Sequence, residues 1–363
     1  MSADPYLGII EGFYGQRYHD AERSYLFDFC AHHGYRFYIY APKEDAQLRA
    51  TWQQPMSAEY RSNLTTMAEA AHAQKLDFGV ALSPMNLTAN FASLRDTLVT
   101  QVKELCAATK CEIFCLLFDD MVKDSEDVGK AQNEVIKTVE QILPEHVTHF
   151  IICPSYYCDD PILDKLFGQC PEHYFSDLTA GLPQRVEIFW TGDKVLSEDI
   201  TPEYIDKVSA RLGRKPFIWD NYPVNDGKKI CSYLFLNKFK GRTGLTGHIT
   251  GHAVNPMVQP LLSTLAEVTL PLIYEGKSPE EINGAHLKQA KSLFGAATSL
   301  IIKYDNFNLL TKVGRTQMSE QDKARFLEFC AMDDKPALKE LADFIQGSAR
   351  FDQSIVSGEH KID

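Results

Sequence analysis

The sequence contains no stretch of the ~20 apolar residues that a helix needs to span a bilayer, which predicts a protein with no membrane partner. Basic side chains are also few: 37 Lys and Arg stand against 49 Asp and Glu, so the net charge is −12. This balance argues against a nucleic-acid partner, because neutralising phosphates requires a basic surface. The N-terminal residues lack the basic and apolar regions of a secretory signal. We therefore expect a soluble, cytoplasmic protein.

Metal-binding patterns are missing as well. The nine cysteines include no CxxC pair and form no paired framework, which favours reduced, mostly buried thiols in a reducing compartment. His248 and His252 are four residues apart, but the segment between them looks extended, and residues at that spacing share one face only in a helix. We therefore predict no metal site, and nothing in the chain indicates another cofactor.

What the chain does contain is an alternation of short apolar runs with longer amphipathic segments, which is typical of a parallel α/β fold. Eight strand candidates across roughly 250 residues fit a (β/α)₈ TIM barrel. A doubly wound open sheet is the main alternative, but no GxGxxG follows the first strand. The strand candidates are residues 7–13, 36–40, 77–82, 113–118, 149–153, 186–190, 216–219 and 247–253. The helix candidates between them are residues 21–33, 58–73, 93–109, 133–143 and 202–212.

From about Pro260 onward the strand signals disappear. Residues 285–294, 319–331 and 335–345 have apolar side chains three and four apart, the spacing of amphipathic helices. We therefore expect a catalytic barrel over residues 1–270 and a small C-terminal helical region over residues 271–346. A polar, frayed tail is predicted over residues 347–363.

Polar and aromatic residues follow the apolar runs at the points where the predicted strands end. In a parallel barrel these positions form the C-terminal mouth, where active sites lie. A purely structural barrel does not require charge at so many strand ends. The segments concerned are residues 11–15, 41–43, 119–120, 154–157, 191–192 and 220–221.

The sharpest of these signals is the apolar strand that ends in Asp119 and Asp120. Adjacent side chains diverge in a regular strand, but both carboxylates could turn toward one ligand where the strand ends. Their proximity and partial burial would raise the pKa of one of them, as a general acid requires. A helix cap, a metal pair or a solvated turn would use the same residues.

A second cluster, residues 217–226, joins the ring of Trp219 to carboxylate and carboxamide groups. These groups suit a sugar pocket, although a turn-rich surface loop would also use Asn, Pro and Asp. Lys43 on its own would be a solvated lysine, and Tyr157 on its own would be a core aromatic residue.

Taken together, seven segments resemble, in their order, glycoside hydrolase family 84 of the bacterial O-GlcNAcase type. This family comprises the O-GlcNAcases and related β-N-acetylglucosaminidases, and its catalytic domain is a (β/α)₈ barrel. The resemblance covers about residues 6–270. The segments are Ile10-Glu-Gly-Phe-Tyr-Gly15, Tyr40-Ala-Pro-Lys43, Phe118-Asp-Asp120, Cys153-Pro-Ser-Tyr-Tyr157, Trp190-Thr-Gly192, Trp219-Asp-Asn221 with Asn225-Asp226, and Asn255-Pro256.

The resemblance implies a retaining, exo-acting glycoside hydrolase whose nucleophile is the substrate's own 2-acetamido oxygen, through an oxazoline intermediate. It implies that Asp119 orients the acetamido N–H and stabilises the developing positive charge. It implies that Asp120 is the general acid and then the general base. The remaining implied contacts are Tyr157, Trp219 and Asn221 around the acetamido group, and Gly12 (through its backbone), Lys43, Asp226 and Asn255 at the sugar hydroxyls.

The chain also departs from the family pattern. It begins almost at the first strand, so we expect no small α/β domain before the barrel. Residues 234–242 stand where relatives often carry a Gly-Pro-containing loop, which leaves the rim and the aglycone contacts open. We expect a helical region shorter than the stalk through which some relatives dimerise, and no acetyltransferase-like domain after it. The oligomeric state stays open.

The leading hypothesis is removal of O-linked N-acetylglucosamine (O-GlcNAc) from Ser or Thr of proteins. A hexosaminidase acting on small GlcNAc saccharides or glycosaminoglycan fragments is a second hypothesis, and a non-catalytic GlcNAc-binding barrel is a third. A metal-dependent hydrolase using the two Asp residues is less favoured, because no His ligands lie at a usable spacing.

Overall fold

Residues 6–121 and 127–347 are described by the structure, which is a computed structural model. Within these ranges eight parallel strands follow one another around a closed barrel, and the first pairs with the last. The predicted (β/α)₈ fold is confirmed, and each strand candidate overlaps an observed strand. The strands are β1 (Leu7–Glu11), β2 (Phe37–Tyr40), β3 (Asp77–Leu82), β4 (Ile113–Leu117), β5 (His149–Cys153), β6 (Val186–Trp190), β7 (Phe217–Asp220) and β8 (Gly251–Val254).

Helices follow most strands and cover the outside of the barrel. The helices are α1 (Asp20–His32), α2 (Ala58–Ala73), α3 (Phe91–Thr109), α4 (Val128–Glu140), α5 (Pro161–Phe167), α6 (Tyr174–Thr179), α7 (Pro202–Leu212), α8 (Pro260–Glu267), α9 (Leu270–Tyr274), α10 (Pro279–Phe294), α11 (Thr298–Tyr304), α12 (Glu320–Cys330) and α13 (Pro336–Gln346), with 3₁₀ turns at Ala46–Leu48, Thr88–Asn90 and Gly295–Ala297 and a π-helical turn at Leu309–Val313. Across the described ranges, no helix combines the length and apolar character that a bilayer span requires.

Local sequence signals explain where these elements begin and end. Thr201 begins α7 by accepting a hydrogen bond from the Tyr204 amide, Pro202 occupies the first turn, and Gly213 ends the helix in a left-handed conformation. These are the usual start and stop signals of a helix. The strands are buried on both faces, as in all-parallel sheets, and β4 is fully buried along its length.

The connection from β7 to β8 differs from the others. Residues 221–250 are described throughout, and they form turns and irregular structure without a helix. Long irregular connections in compact domains are commonly functional. This connection starts at the mouth of the barrel and forms one wall of the pocket described below.

Aromatic rings fill the barrel and lead up to its mouth. The ring of Phe217 packs against those of Phe37 and Phe189, at centroid separations of 5.8 and 5.3 Å, and Phe189 in turn meets Trp219 at 5.2 Å. A Cβ on Gly251 would lie 2.4 Å from Phe217, so this position requires glycine. Trp219 therefore rests on a packed base rather than on solvent.

The C-terminal helices share a second apolar core with the barrel side of the chain. This core contains Phe294, Phe326 and Leu341 from the helices together with Leu236 from the β7–β8 connection and Leu265 from α8. The predicted division of the chain at residue 270 stays a prediction. The predicted tail, apart from Gly347, lies outside the described residues.

Glu267, the last residue of α8, is fully buried. Neither of its carboxyl oxygens has a hydrogen-bond partner in the described part of the chain. Burial raises the pKa of Glu267 to about 8, because a charge without compensation is unfavourable in an apolar interior. The side chain is therefore protonated at neutral pH and brings no net charge into the core.

Candidate active site

A pocket lies at the carboxyl ends of the barrel strands, and every residue predicted for the site lines it. These residues are Gly12 after β1, Lys43 after β2, Asp119 and Asp120 after β4, Tyr157 after β5, Trp219 in β7, Asn221 and Asp226 on the β7–β8 connection, and Asn255 after β8. Their convergence follows from the fold, because parallel strands direct their carboxyl ends to the same side of the barrel. The role of each residue stays a prediction.

Asp119 presents one engaged and one open carboxylate oxygen. The side chain is buried, and its Oδ2 atom pairs with the buried ammonium group of Lys43. Its Oδ1 atom is buried and has no hydrogen-bond partner among the residues that the structure describes. A buried acceptor without a partner costs free energy, so Oδ1 would gain from any N–H or O–H group that a ligand brings into the pocket.

Asp120 faces the same pocket because its backbone leaves the strand geometry. Its φ is +54°, a left-handed conformation that non-glycine residues seldom adopt. Its carboxylate accepts hydrogen bonds from the hydroxyl of Tyr157 at 3.0 Å and from that of Tyr14 at 3.1 Å. The turn therefore resolves how two adjacent side chains, which would diverge in a strand, meet at one ligand position.

Tyr14 was not among the predicted site residues, although it lies within one of the family-like segments. Burial raises the pKa of Tyr14 and of Tyr157 well above the usual range, so both hydroxyls remain protonated donors. The Tyr14 amide also donates to Asp226 Oδ2 at 2.7 Å. Its position two residues after Gly12 was the signal that could have identified it.

Arg49 is the second residue that the sequence analysis missed. Its buried guanidinium donates to the backbone carbonyl of Asp120 at 3.2 Å and to the Ser83 hydroxyl at 3.0 Å. No sequence pattern marks this residue, since it follows a short 3₁₀ turn and belongs to none of the motifs.

Carboxamide groups connect β1, β7 and β8 at the mouth. Asn255 accepts from the Gly12 amide at 3.3 Å and donates to Asn221 Oδ1 at 2.9 Å. The indole N–H of Trp219 donates to the same Asn221 oxygen at 3.0 Å, and Asn221 donates to the Val195 carbonyl at 2.9 Å. This network fixes the orientation of both amides, so their remaining hydrogen-bonding capacity points in defined directions.

Gly12 also makes room for the indole. A Cβ at this position would lie 2.4 Å from Trp219 Cζ2, a distance at which the ring would have to move. Glycine therefore allows the backbone of β1 to approach the edge of the indole and to remain part of the pocket wall.

Two acidic residues at the predicted mouth do not line the pocket. Glu11 is buried against Arg23, which donates to it at 2.8 and 2.9 Å, and against the Tyr38 hydroxyl at 2.7 Å. Asp220 accepts two hydrogen bonds from Arg242, each of 2.8 Å. We infer that both carboxylates stabilise strand ends rather than contact a ligand.

The environment of Asp220 also explains the position of His252, which lies beside this carboxylate. Burial alone would raise the pKa of Asp220, but Arg242 and His252 hold it well below its usual range. His252 Nε2 lies 3.0 Å from Asp220, whereas His248 faces Asp206 at 2.7 Å. Among the described residues no group of three or more His, Cys, Asp or Glu side chains is arranged to hold a metal ion.

A closed parallel barrel with an acidic, tyrosine-lined pocket at its C-terminal mouth is the architecture of a barrel enzyme. The family model of the beta-N-acetylglucosaminidases (NAGidase) matches residues 7–298 of the chain. The chain therefore belongs to this family of glycoside hydrolases, and the predicted resemblance is confirmed.

Individual relatives agree with this assignment. The chain is 32% identical over 278 residues to Protein O-GlcNAcase of Rattus norvegicus and, equally, of Mus musculus, which covers 74% of this chain and 30% of each relative. It thus spans about a third of the length of these curated relatives. A solved mutant of the O-GlcNAc hydrolase of Thermobaculum terrenum shares the fold, with a TM-score of 0.71 and 24% identity over 94% of this chain and 80% of that one.

Proposed function

We propose that the chain is a retaining, exo-acting β-N-acetylglucosaminidase whose nucleophile is the 2-acetamido group of the substrate. The observation that carries this proposal is the pair of carboxylates at the end of β4. Asp119 offers a buried oxygen without a partner, and Asp120 is held beside it by two tyrosine hydroxyls. One carboxylate thus suits the acetamido N–H, and the other suits proton transfer.

In the first step the acetamido N–H donates to Asp119 Oδ1, and the acetamido oxygen attacks C1 of the sugar. The bond from C1 to the aglycone oxygen breaks, and Asp120 gives its proton to that oxygen. Positive charge develops on the acetamido group, and the buried, anionic Asp119 stabilises it. In the second step Asp120 takes a proton from water, and the water opens the oxazoline at C1.

Through its contact with Tyr157, a bound substrate can change the protonation state of Asp120. In the free protein its hydroxyl donates to Asp120, which favours the carboxylate form. A hydroxyl has one proton to donate, so an acetamido oxygen that receives this hydrogen bond removes it from Asp120. Loss of a donor raises the proton affinity of a carboxylate, and the bound substrate would thereby favour the acid form that the first step needs.

The pocket also supports recognition of a terminal sugar. Aromatic rings close the barrel beneath Trp219 and give the pocket a floor, which favours an end sugar that points into the barrel. Asp226, Asn255 and the backbone of Gly12 supply polar groups for the sugar hydroxyls. Buried groups of this kind reject sugars that leave them without partners.

A groove beside the pocket supports a polypeptide aglycone. It shares Leu196, Asn221 and Val224 with the pocket and continues past Tyr222 and Phe235. Leu196 is 43% exposed at the junction of the two cavities, where it can contact residues next to a glycosylated Ser or Thr. The groove combines these apolar side chains with the charged side chains of Asp199, Lys238 and Lys240. Because a peptide can use apolar and charged contacts together, we infer that O-GlcNAc proteins are the substrate class.

The test compares an O-GlcNAc glycopeptide, 4-methylumbelliferyl β-N-acetylglucosaminide and chitobiose. We expect turnover of the aryl glycoside and the glycopeptide, with NMR showing the β-anomer of N-acetylglucosamine as the first product. Turnover of the aryl glycoside and chitobiose without the glycopeptide would instead identify a small-saccharide hexosaminidase. Binding of N-acetylglucosamine by folded protein without any turnover would identify a sugar-binding barrel.

The raised pKa of Asp226 leads us to expect that sugar binding depends on pH. Burial raises the pKa of Asp226 to about 6, and the carboxylate accepts hydrogen bonds better than the protonated acid does. If only the ionised form binds, the Kd for N-acetylglucosamine is about tenfold higher at pH 5 than at pH 7, as measured by calorimetry. Asp226→Asn should bind more weakly at pH 7 and lose this dependence. An unchanged profile in that variant would exclude Asp226 from sugar recognition.

A further inference from the structure

Arg49 is a buried cation that contacts the backbone of the proposed acid. It is 4% exposed, and its guanidinium joins the end of β3 to the end of β4 through the Ser83 hydroxyl and the Asp120 carbonyl. The same group lies 3.5 Å from the Tyr14 hydroxyl, and its central carbon is 5.9 Å from the centre of the Tyr14 ring. It therefore contacts two of the groups that determine where the Asp120 carboxylate lies.

The backbone of Asp120 needs such a contact. Its left-handed conformation is unfavourable for a residue with a Cβ and persists only where the surroundings hold it. The hydrogen bond from Arg49 engages the carbonyl of this same residue, and the planar guanidinium reaches Ser83 with its other terminal nitrogen. An ammonium group in its place would not reproduce this two-pronged geometry.

We propose that Arg49 is a positioning residue for general acid–base catalysis: by holding the Asp120 carbonyl it keeps the left-handed turn that directs the Asp120 carboxylate into the pocket. The proposal rests on the function proposed above. Arg49 does not line the pocket and acts through Asp120 and Tyr14.

The positive charge of Arg49 adds an electrostatic effect to this geometry. It lies 3.5 Å from the Tyr14 hydroxyl that donates to Asp120 and opposes the burial that raises the pKa of Tyr14. The same charge favours the carboxylate form of Asp120 over the acid form. Loss of Arg49 would therefore leave Asp120 less well aligned and more readily protonated.

The test measures kcat/KM of the full chain against pH for two substrates, the glycopeptide and 2,4-dinitrophenyl β-N-acetylglucosaminide. For Arg49→Gln we expect a loss of about 10²-fold on the glycopeptide and of less than about fivefold on the activated glycoside, whose departure needs little protonation. The basic limb of the glycopeptide profile should move to higher pH. Arg49→Lys keeps the positive charge but lacks the two-pronged hydrogen-bonding geometry of the guanidinium. This variant should lose activity with a smaller shift of the basic limb.

Arg185→Gln is the matched control, because Arg185 forms an ion pair with Glu140 on the outside of the barrel. Its loss should leave kcat/KM unchanged for both substrates. Thermal unfolding and the Kd for N-acetylglucosamine establish that each variant is folded and binds the sugar. Equal losses on both substrates with an unmoved pH profile would overturn the proposal while leaving the proposed function intact. If Arg49→Gln does not fold, the same comparison with Arg49→Lys decides. Absence of turnover by the wild type would refute the proposed function itself.

Discussion

Asp120→Asn should reduce kcat/KM on an O-GlcNAc glycopeptide by about 10³-fold but reduce it by about tenfold or less on 2,4-dinitrophenyl β-N-acetylglucosaminide. A serine or threonine alkoxide is a poor leaving group and requires the proton that Asp120 supplies. Dinitrophenolate departs without one. The ratio kcat/KM reports the steps up to cleavage of the glycosidic bond, so the missing base in the second step does not obscure the comparison.

A plot of log kcat/KM against leaving-group pKa makes this prediction quantitative. The variant should show a much steeper dependence than the wild type, because the enzyme no longer neutralises the developing alkoxide. Asp193→Asn is a suitable control, since Asp193 is an exposed carboxylate next to the mouth and does not line the pocket. A loss that is the same for every leaving group would remove Asp120 from the acid role.

Asp119→Asn should lower kcat/KM by about 10² to 10³-fold for good and poor leaving groups alike. The charge that Asp119 stabilises forms on the acetamido group whatever the aglycone is. An asparagine amide has no negative charge and can present an N–H toward the acetamido N–H. The leaving-group dependence should therefore stay parallel to that of the wild type at a lower level, and a steeper dependence would contradict the assignment.

This variant needs a stability control, because it leaves the buried ammonium of Lys43 without its partner. Removing one member of a buried ion pair costs about 3–5 kcal/mol. Thermal unfolding should show this loss, so kcat/KM is compared at a temperature at which both the wild type and the variant are fully folded. If the folded variant had the activity of the wild type, Asp119 would be a structural residue. We expect activity to stay low in the folded variant.

The strands were predictable because their burial on both faces produces apolar runs that helices interrupt at regular intervals. The residues at which the strands begin and end were less predictable. The first run was predicted to continue to residue 13, but β1 ends at Glu11, where the Gly12 amide turns back to the Ile10 carbonyl at 2.8 Å. The last run was predicted to start at residue 247, but β8 starts at Gly251 after a series of turns. Local turns that interrupt an apolar run decide such ends.

The site residues that lie in sequence motifs were predictable, whereas a residue that joins the site only through a tertiary contact was not. All nine predicted site residues line the pocket, but Arg49 contacts a residue 71 positions further along the chain, and no local pattern records that contact. Glu11 and Asp220 looked like pocket acids for the same reason. Only the positions of Arg23 and Arg242 in three dimensions reveal that each carboxylate already has a partner.

The hydrogen bond between the Gly12 amide and Asn255 joins residues 243 positions apart, across the seam where β1 meets β8. Under the proposed function a sugar occupies both sides of that seam, so binding and barrel closure are thermodynamically linked. A ligand at a hundred times its Kd adds about 2.7 kcal/mol to the stability of the closed form. Asn255 enters the pocket only when the last strand joins the first. A ribosome-bound chain that has not yet delivered β8 therefore lacks this side of the pocket.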